Sequence, residues 1–210
     1  MAFSEMMFWD AELAEPFYDI EDELIDNEAH SFYSLLEKDE ERLNKLPNQF
    51  RKIYEYANGV KFSWRSAKFP DVGGNLNFIE LNHVLADGLG STYEKQDLAE
   101  NELIEFFKPF DLISEEAECG FLLNPGFESK EIYFRKVGSP QIYGLGVDID
   151  GYLKMAVRSS VFYYWPKVLI DIQANDESEE TKKFKKYMPE MFSDFKWESF
   201  LAEYKELQLK

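Results

Sequence analysis

The residue order predicts an α+β fold: N-terminal helices packed on a twisted, mainly antiparallel sheet, with extra C-terminal helices. Three observations carry this. Apolar residues recur at helical spacing ahead of residue 60, short β-branched and aromatic runs fill the middle, and helical spacing returns after residue 178. The 210 residues suit one domain, and a content of 45% apolar and 17% aromatic residues gives a core large enough to offset the entropy of ordering the chain.

Residues 1–29 form an acidic N-terminal extension, expected to dock Phe8, Trp9, Phe17 and Tyr18 on the domain and leave its carboxylates in water. From Ser31 to Asn44, Phe32, Leu35, Leu36 and Leu43 mark the apolar face of a surface helix. The stretch "LPNQFRKIYEYANGV" holds a second helix. Pro47 suits its first position, Phe50, Ile53, Tyr54 and Ala57 share a face, and Asn58-Gly59 tolerates a left-handed end. "VKFSW" then reads as a strand, "FPDVGGN" as a loop and "LNFIELNHVL" as another strand.

Residues 92–108 fit a helix capped by Ser91 or Thr92, with Leu103, Ile104 and Phe107 facing inward. "FDLIS", "CGFLLN", "EIYFRK", "QIYGLGV" and "YLKMAV" follow as an antiparallel meander divided by Gly, Pro, Asn and Ser. In the last pair a three-residue loop, Ile149-Asp150-Gly151 with Gly151 at positive φ, sets Val147 opposite Leu153 and Leu145 opposite Met155. After the polar linker "QANDESEE" the C-terminal extension, 178–210, carries two helical patterns, the second with Trp197, Phe200, Leu201 and Tyr204 on one face.

Charge narrows the function. With 23 Lys and Arg against 41 Asp and Glu, the net charge of −18 sets up a field that repels phosphate backbones and anionic lipid, so direct nucleic-acid and membrane partners are disfavoured. A single cysteine, Cys119, with His30 and His83 gives neither a disulfide nor a zinc ligand set, and no metal or cofactor is expected. The start of the sequence lacks a signal-peptide pattern, and a cytoplasmic protein is expected.

No catalytic residue emerges. "VDIDGYLKMAVRS" opens like a calcium loop at Asp148 and Asp150, but Gly151 is misplaced and Ser159 stands where a bidentate carboxylate is required. "DVGGN", "GLGST" and "YGLGVD" lack the spacing of a phosphate loop. Cys119 sits in an apolar run without an activating neighbour and reads as a packed thiol. The features open to a partner are Trp64, on one side of its strand with Phe62, and the acids Asp71, Glu80, Asp87, Asp148 and Asp150 at the sheet's edges. For Trp64 and for Phe162-Tyr163-Tyr164-Trp165 core packing is the competing role, and for the acids simple solvation is.

The block around Leu46-Pro47 and Asn58-Gly59, with an amphipathic helix before it and a sheet after, resembles the start of the SUKH superfamily. That group includes fungal regulators of cell-wall glucan synthesis and many bacterial immunity proteins. "IYGLGVDIDGYLKMAV" and Trp165 are similar to the family's later strands and the aromatic position after them, so the SUKH-like core spans roughly residues 30–170. The resemblance implies a non-enzymatic protein-binding domain that neutralises a toxin by direct contact. The acidic charge would fit it to a basic partner such as a nuclease. An intracellular regulatory scaffold and a carboxylate-based hydrolase are the alternatives.

Overall fold

The computed structural model of the chain describes residues 46, 48–56, 59–85, 100–124 and 127–210. Helix α1 (Asn48–Tyr56) buries Phe50, Ile53 and Tyr54 at helical spacing, and Phe50 stacks on Phe121 at 4.0 Å between ring centroids. Gly59 follows with φ of 107°, and a Cβ there would lie 2.9 Å from the Phe78 carbonyl, so only glycine suits this entry into the sheet.

Strands β1 (Val60–Arg65), β2 (Gly73–Phe78), β3 (Phe107–Ser114), β4 (Ala117–Asn124), β6 (Tyr133–Lys136) and β7 (Ile142–Gly144) pair antiparallel in that order, while the two-residue β5 (Phe127–Glu128) pairs with β4. β1 and β2 are in full register, from Val60 opposite Phe78 to Arg65 opposite Gly73. β2 and β3 are not. Their one paired position is Phe78 opposite Asp111. Beyond it the sheet splits, and Val161–Tyr163 fill the gap: Asn75 N–H donates to Val161 O, Tyr163 N–H donates to Gly73 O, and Gly74 bridges Phe162.

Four helices follow the strands: α3 (Ile149–Arg158), α4 (Trp165–Ala174), α5 (Glu179–Met191) and α6 (Trp197–Leu207); a short α2 (Leu81–Leu85) sits earlier, after β2. Tyr152 of α3 meets Phe110 of β3 edge-on at 5.3 Å and Trp165 of α4 at 4.8 Å. Phe184 of α5 centres a second aromatic group with Phe162, Phe195, Trp197 and Phe200. Both groups belong to one contiguous buried cluster, so the C-terminal helices share the core of the sheet.

The α+β class is as expected, and several local expectations are corrected. The pair of strands around Ile149-Asp150-Gly151 does not form, because Asp148 caps a helix there: its Oδ1 accepts the Gly151 N–H at 2.9 Å, and Ile149, Tyr152, Leu153 and Ala156 bury one helical face. Gly151 lies inside α3 and is not among the residues with positive φ. The segment the SUKH resemblance places among strands is therefore helical from Ile149 to Arg158.

"LNFIELNHVL" divides between β2 and α2, and Gly73 and Gly74 begin a strand. Of the expected 92–108 helix, Glu100 is helical; Asn101 then caps a 3-10 turn, Glu102–Phe106, and Phe107 and Lys108 belong to β3. The 1–29 extension, the Ser31–Asn44 helix, Pro47, Ala57, Asn58, the Ser91/Thr92 cap and Asp87 lie outside the described residues.

Candidate functional site

Where the sheet splits, its outer face carries a groove of about 760 Å³ that is open to solvent. β1 contributes Lys61, Ser63 and Arg65, whose alternation turns them outward, and β2 contributes Asn75 and Asn77 opposite Ser63 and Lys61. Leu112, Ile113, Ser114 and Glu115 form the far wall, while Trp64, Tyr163 and Tyr164 close one end.

The groove is pinned by hydrogen bonds that cross the split. Asn75 Nδ2 donates to Leu112 O at 3.0 Å and to Ile113 O at 3.3 Å, replacing the absent ladder, and Tyr164 OH meets Ser114 Oγ at 3.0 Å. Trp64 Nε1 donates to Ser160 O at 2.7 Å. Two glycines make this fit. A Cβ on Gly74 would overlap the Trp64 indole, and one on Gly73 would lie 2.9 Å from the Tyr163 ring. Ser160, Val161 and Tyr164 all have φ between 47° and 59°, and for the β-branched Val161 this is a strained backbone. Such strain is held where surrounding contacts over-determine it, and here it shapes the groove wall.

The expected partner-binding residues are not gathered together. Trp64 is only 4% exposed, edge-on to Phe162 and Phe192, and supports the groove from beneath. Asp71 is exposed in the β1–β2 turn, while Glu80 lies half-buried past the opposite end of β2, about 20 Å or more along the strand direction. Asp148 is occupied as the α3 cap, and Asp150 is exposed in its first turn. The acid that lines the groove is Glu115.

Local charge also departs from the total. Residues 1–30 contain ten Asp and Glu and no Lys or Arg, whereas residues 60–78 carry Lys61, Arg65 and Lys68 against Asp71. The rim of the groove is thus cationic along β1.

Three buried acids were not singled out by sequence reasoning: Asp111 and Asp171, each a lone acid in an apolar run, and Glu118, which follows Glu115 and Glu116 and carries no such signal. Asp111 accepts Tyr152 OH at 2.7 Å and Asn77 N–H at 2.9 Å; burial pushes its carboxyl up to about 6 against the pull of those two donors. Glu118 pairs with Arg135 at 2.9 Å, both buried, yet burial still outweighs the guanidinium and lifts it to about 7.

Asp171 has the reverse balance. Burial pushes it up, but Lys167, the Ser178 hydroxyl and amide, and Thr181 Oγ1 all donate to it and hold it down to about 2. It ties the end of α4 to the start of α5. Burial likewise pushes the Cys119 thiol well up, which keeps it protonated and unreactive.

Among the described residues no group of three or more His, Cys, Asp and Glu is placed to hold a metal ion, and no helix is long and apolar enough to cross a membrane. The three buried acids each have a partner within the fold, whereas the groove presents polar and aromatic side chains to solvent. No family model, no curated protein and no solved structure matches the chain.

Proposed function

We propose that this chain is a non-enzymatic, cytoplasmic protein-binding domain of the immunity type, which neutralises a toxin by direct contact and uses the groove over β1–β3 as part of its contact surface. The observation that carries the reading is the fixed aromatic wall. Tyr163 is seated against Gly73 and Tyr164 is tied to Ser114, so two half-buried tyrosines face a partner with little rotamer freedom left to lose. An open groove floored by Asn and Ser side chains suits a macromolecular surface better than an enclosed small substrate.

The net charge of −18 would steer a basic partner, such as a nuclease, to the complex before the tyrosines engage. SUKH membership remains part of the proposal, supported by the front of the fold: α1, Gly59 at positive φ and β1 follow one another as the resemblance expects.

The test is capture with the purified protein from its host's lysate and from cells expressing neighbouring genes, at low and moderate salt, followed by Tyr163→Ala and Tyr164→Ala. One stoichiometric basic partner, with an association rate that falls as salt rises and a dissociation rate raised by either variant, is the expected result. Several weak partners would favour a regulatory scaffold. Turnover of a small substrate without any captured protein would overturn the proposal.

A further inference from the structure

We propose that the groove recognises an extended acidic segment of a partner protein, with Lys61 and Arg65 pairing two of its carboxylates placed four residues apart. The inference rests on the protein-binding reading of the groove and adds the chemistry of what lies in it.

Spacing is the first argument. Lys61, Ser63 and Arg65 alternate outward along β1, which sets the two cations about 13 Å apart at the usual strand rise. An extended peptide has the same rise, so its side chains at i and i+4 match that interval without adjustment. Both cations are exposed, and among the described residues neither takes part in an ion pair. Beside them stand groups suited to a peptide backbone, Ser63 between the two on β1 and Asn77 opposite Lys61 on β2. The Ser63 hydroxyl and the Asn77 side-chain amide face the groove and make no hydrogen bond among the described residues.

Shape gives the second argument. Small-molecule pockets enclose most of their ligand, whereas this groove is open to solvent, as a segment that keeps one side against its own protein would require. At the Arg65 end the Tyr163 ring lies over Gly73, the residue opposite Arg65, and offers an apolar face beside the charge. Glu115 on the far wall repels acids there and confines them to the β1 side, which fixes the segment's lateral position.

The net charge of −18 does not cancel this attraction. Charges farther than about 8 Å are largely screened at physiological salt, while contacts with Lys61 and Arg65 are within hydrogen-bond range. A basic partner with one acidic strand would be steered by the whole field and set in register by the local exception to it.

The experiment is fluorescence anisotropy of the full chain with a labelled Ser/Thr/Gly peptide carrying glutamates at i and i+4, against a peptide of equal composition with the glutamates adjacent. The spaced peptide is expected to bind at least about fivefold more tightly, and more weakly as salt rises. Lys61→Glu with Arg65→Glu should weaken it at least about tenfold. Lys154→Glu with Lys205→Glu, the same charge change on exposed positions of α3 and α6, should leave it within about twofold.

Equal binding of both peptides, affinity that rises with salt, or preference for a single-stranded oligonucleotide would overturn the inference. A captured partner that depends on Tyr163 and Tyr164 but is indifferent to Lys61 and Arg65 would overturn it while leaving the protein-binding reading intact. Spaced-peptide binding without any captured partner would count against the immunity reading alone.

Discussion

Asp111 offers the sharpest test of the core. Its carboxylate is fully buried and among the described residues pairs with no cation; the Tyr152 hydroxyl and the Asn77 backbone N–H donate to it. Burial raises it from an ordinary 3.8 to about 6, so in the interval between those values the folded protein holds a proton that the unfolded chain releases. The stability Asp111 contributes is therefore fully present below about pH 4 and is lost as pH rises through about 6. The gap corresponds to about 3 kcal/mol at ~1.4 kcal/mol for each tenfold in proton affinity.

Asp111→Asn removes the titration and keeps an oxygen for the Asn77 amide. Urea unfolding of both proteins at steps from about pH 4 to pH 8 isolates the effect, because Glu118 and Asp171 titrate alike in the two chains. The wild type should lose about 3 kcal/mol relative to the variant across that range. Two parallel stability profiles would refute the claim that this buried carboxylate is held against its solvation.

Three further outcomes follow from the same contacts. Glu118→Gln weakens the charge-assisted bond from Arg135 but keeps an oxygen to accept it, and because burial holds Glu118 at about 7, where it is half protonated near neutral pH, the variant should cost only about 1 to 2 kcal/mol by denaturant titration there. Asp171→Asn should cost about 2 kcal/mol near neutral pH by loosening the α4–α5 junction. Because Asp171 is held at about 2, its contribution is present above about pH 4 and fades as pH falls toward 2, opposite in sign to Asp111, which thermal unfolding in acid will show. Gly74→Ala drives a methyl into the Trp64 indole and should cost about 1 to 3 kcal/mol, with a red shift of tryptophan emission as the bond to Ser160 breaks.

Strands with alternating or continuous apolar patterns, such as those at "FDLIS" and "CGFLLN", were legible because their burial repeats what their composition announces. The segment after Val147 departs from its strongest local signal for a definable reason. Asp150-Gly151 looks like a turn, and that local signal is outweighed by Ile149, Tyr152, Leu153 and Ala156, which stand at helical spacing behind an Asp cap. The groove was not legible at all. It depends on Val161–Tyr163 entering the sheet beside Gly73–Asn75, a tertiary pairing with no periodic trace in either stretch. Trp64 lies beneath the groove with its single polar atom directed inward to Ser160, and Tyr163 and Tyr164 are the half-exposed aromatics there.

The wedge of residues 161–163 in the sheet also bears on how the molecule is made. Trp64 and Ser160, joined by a hydrogen bond, are 96 positions apart, so the free edge of β2 waits for chain that leaves the ribosome much later. Until then Gly73–Asn75 offer an unsatisfied backbone to any passing strand, a hazard that a chaperone or fast completion must cover. The groove is accordingly completed late in synthesis: a chain stopped before residue 160 would hold all of the described strands and the Leu112–Glu115 wall, but not the Tyr163–Tyr164 end that closes them.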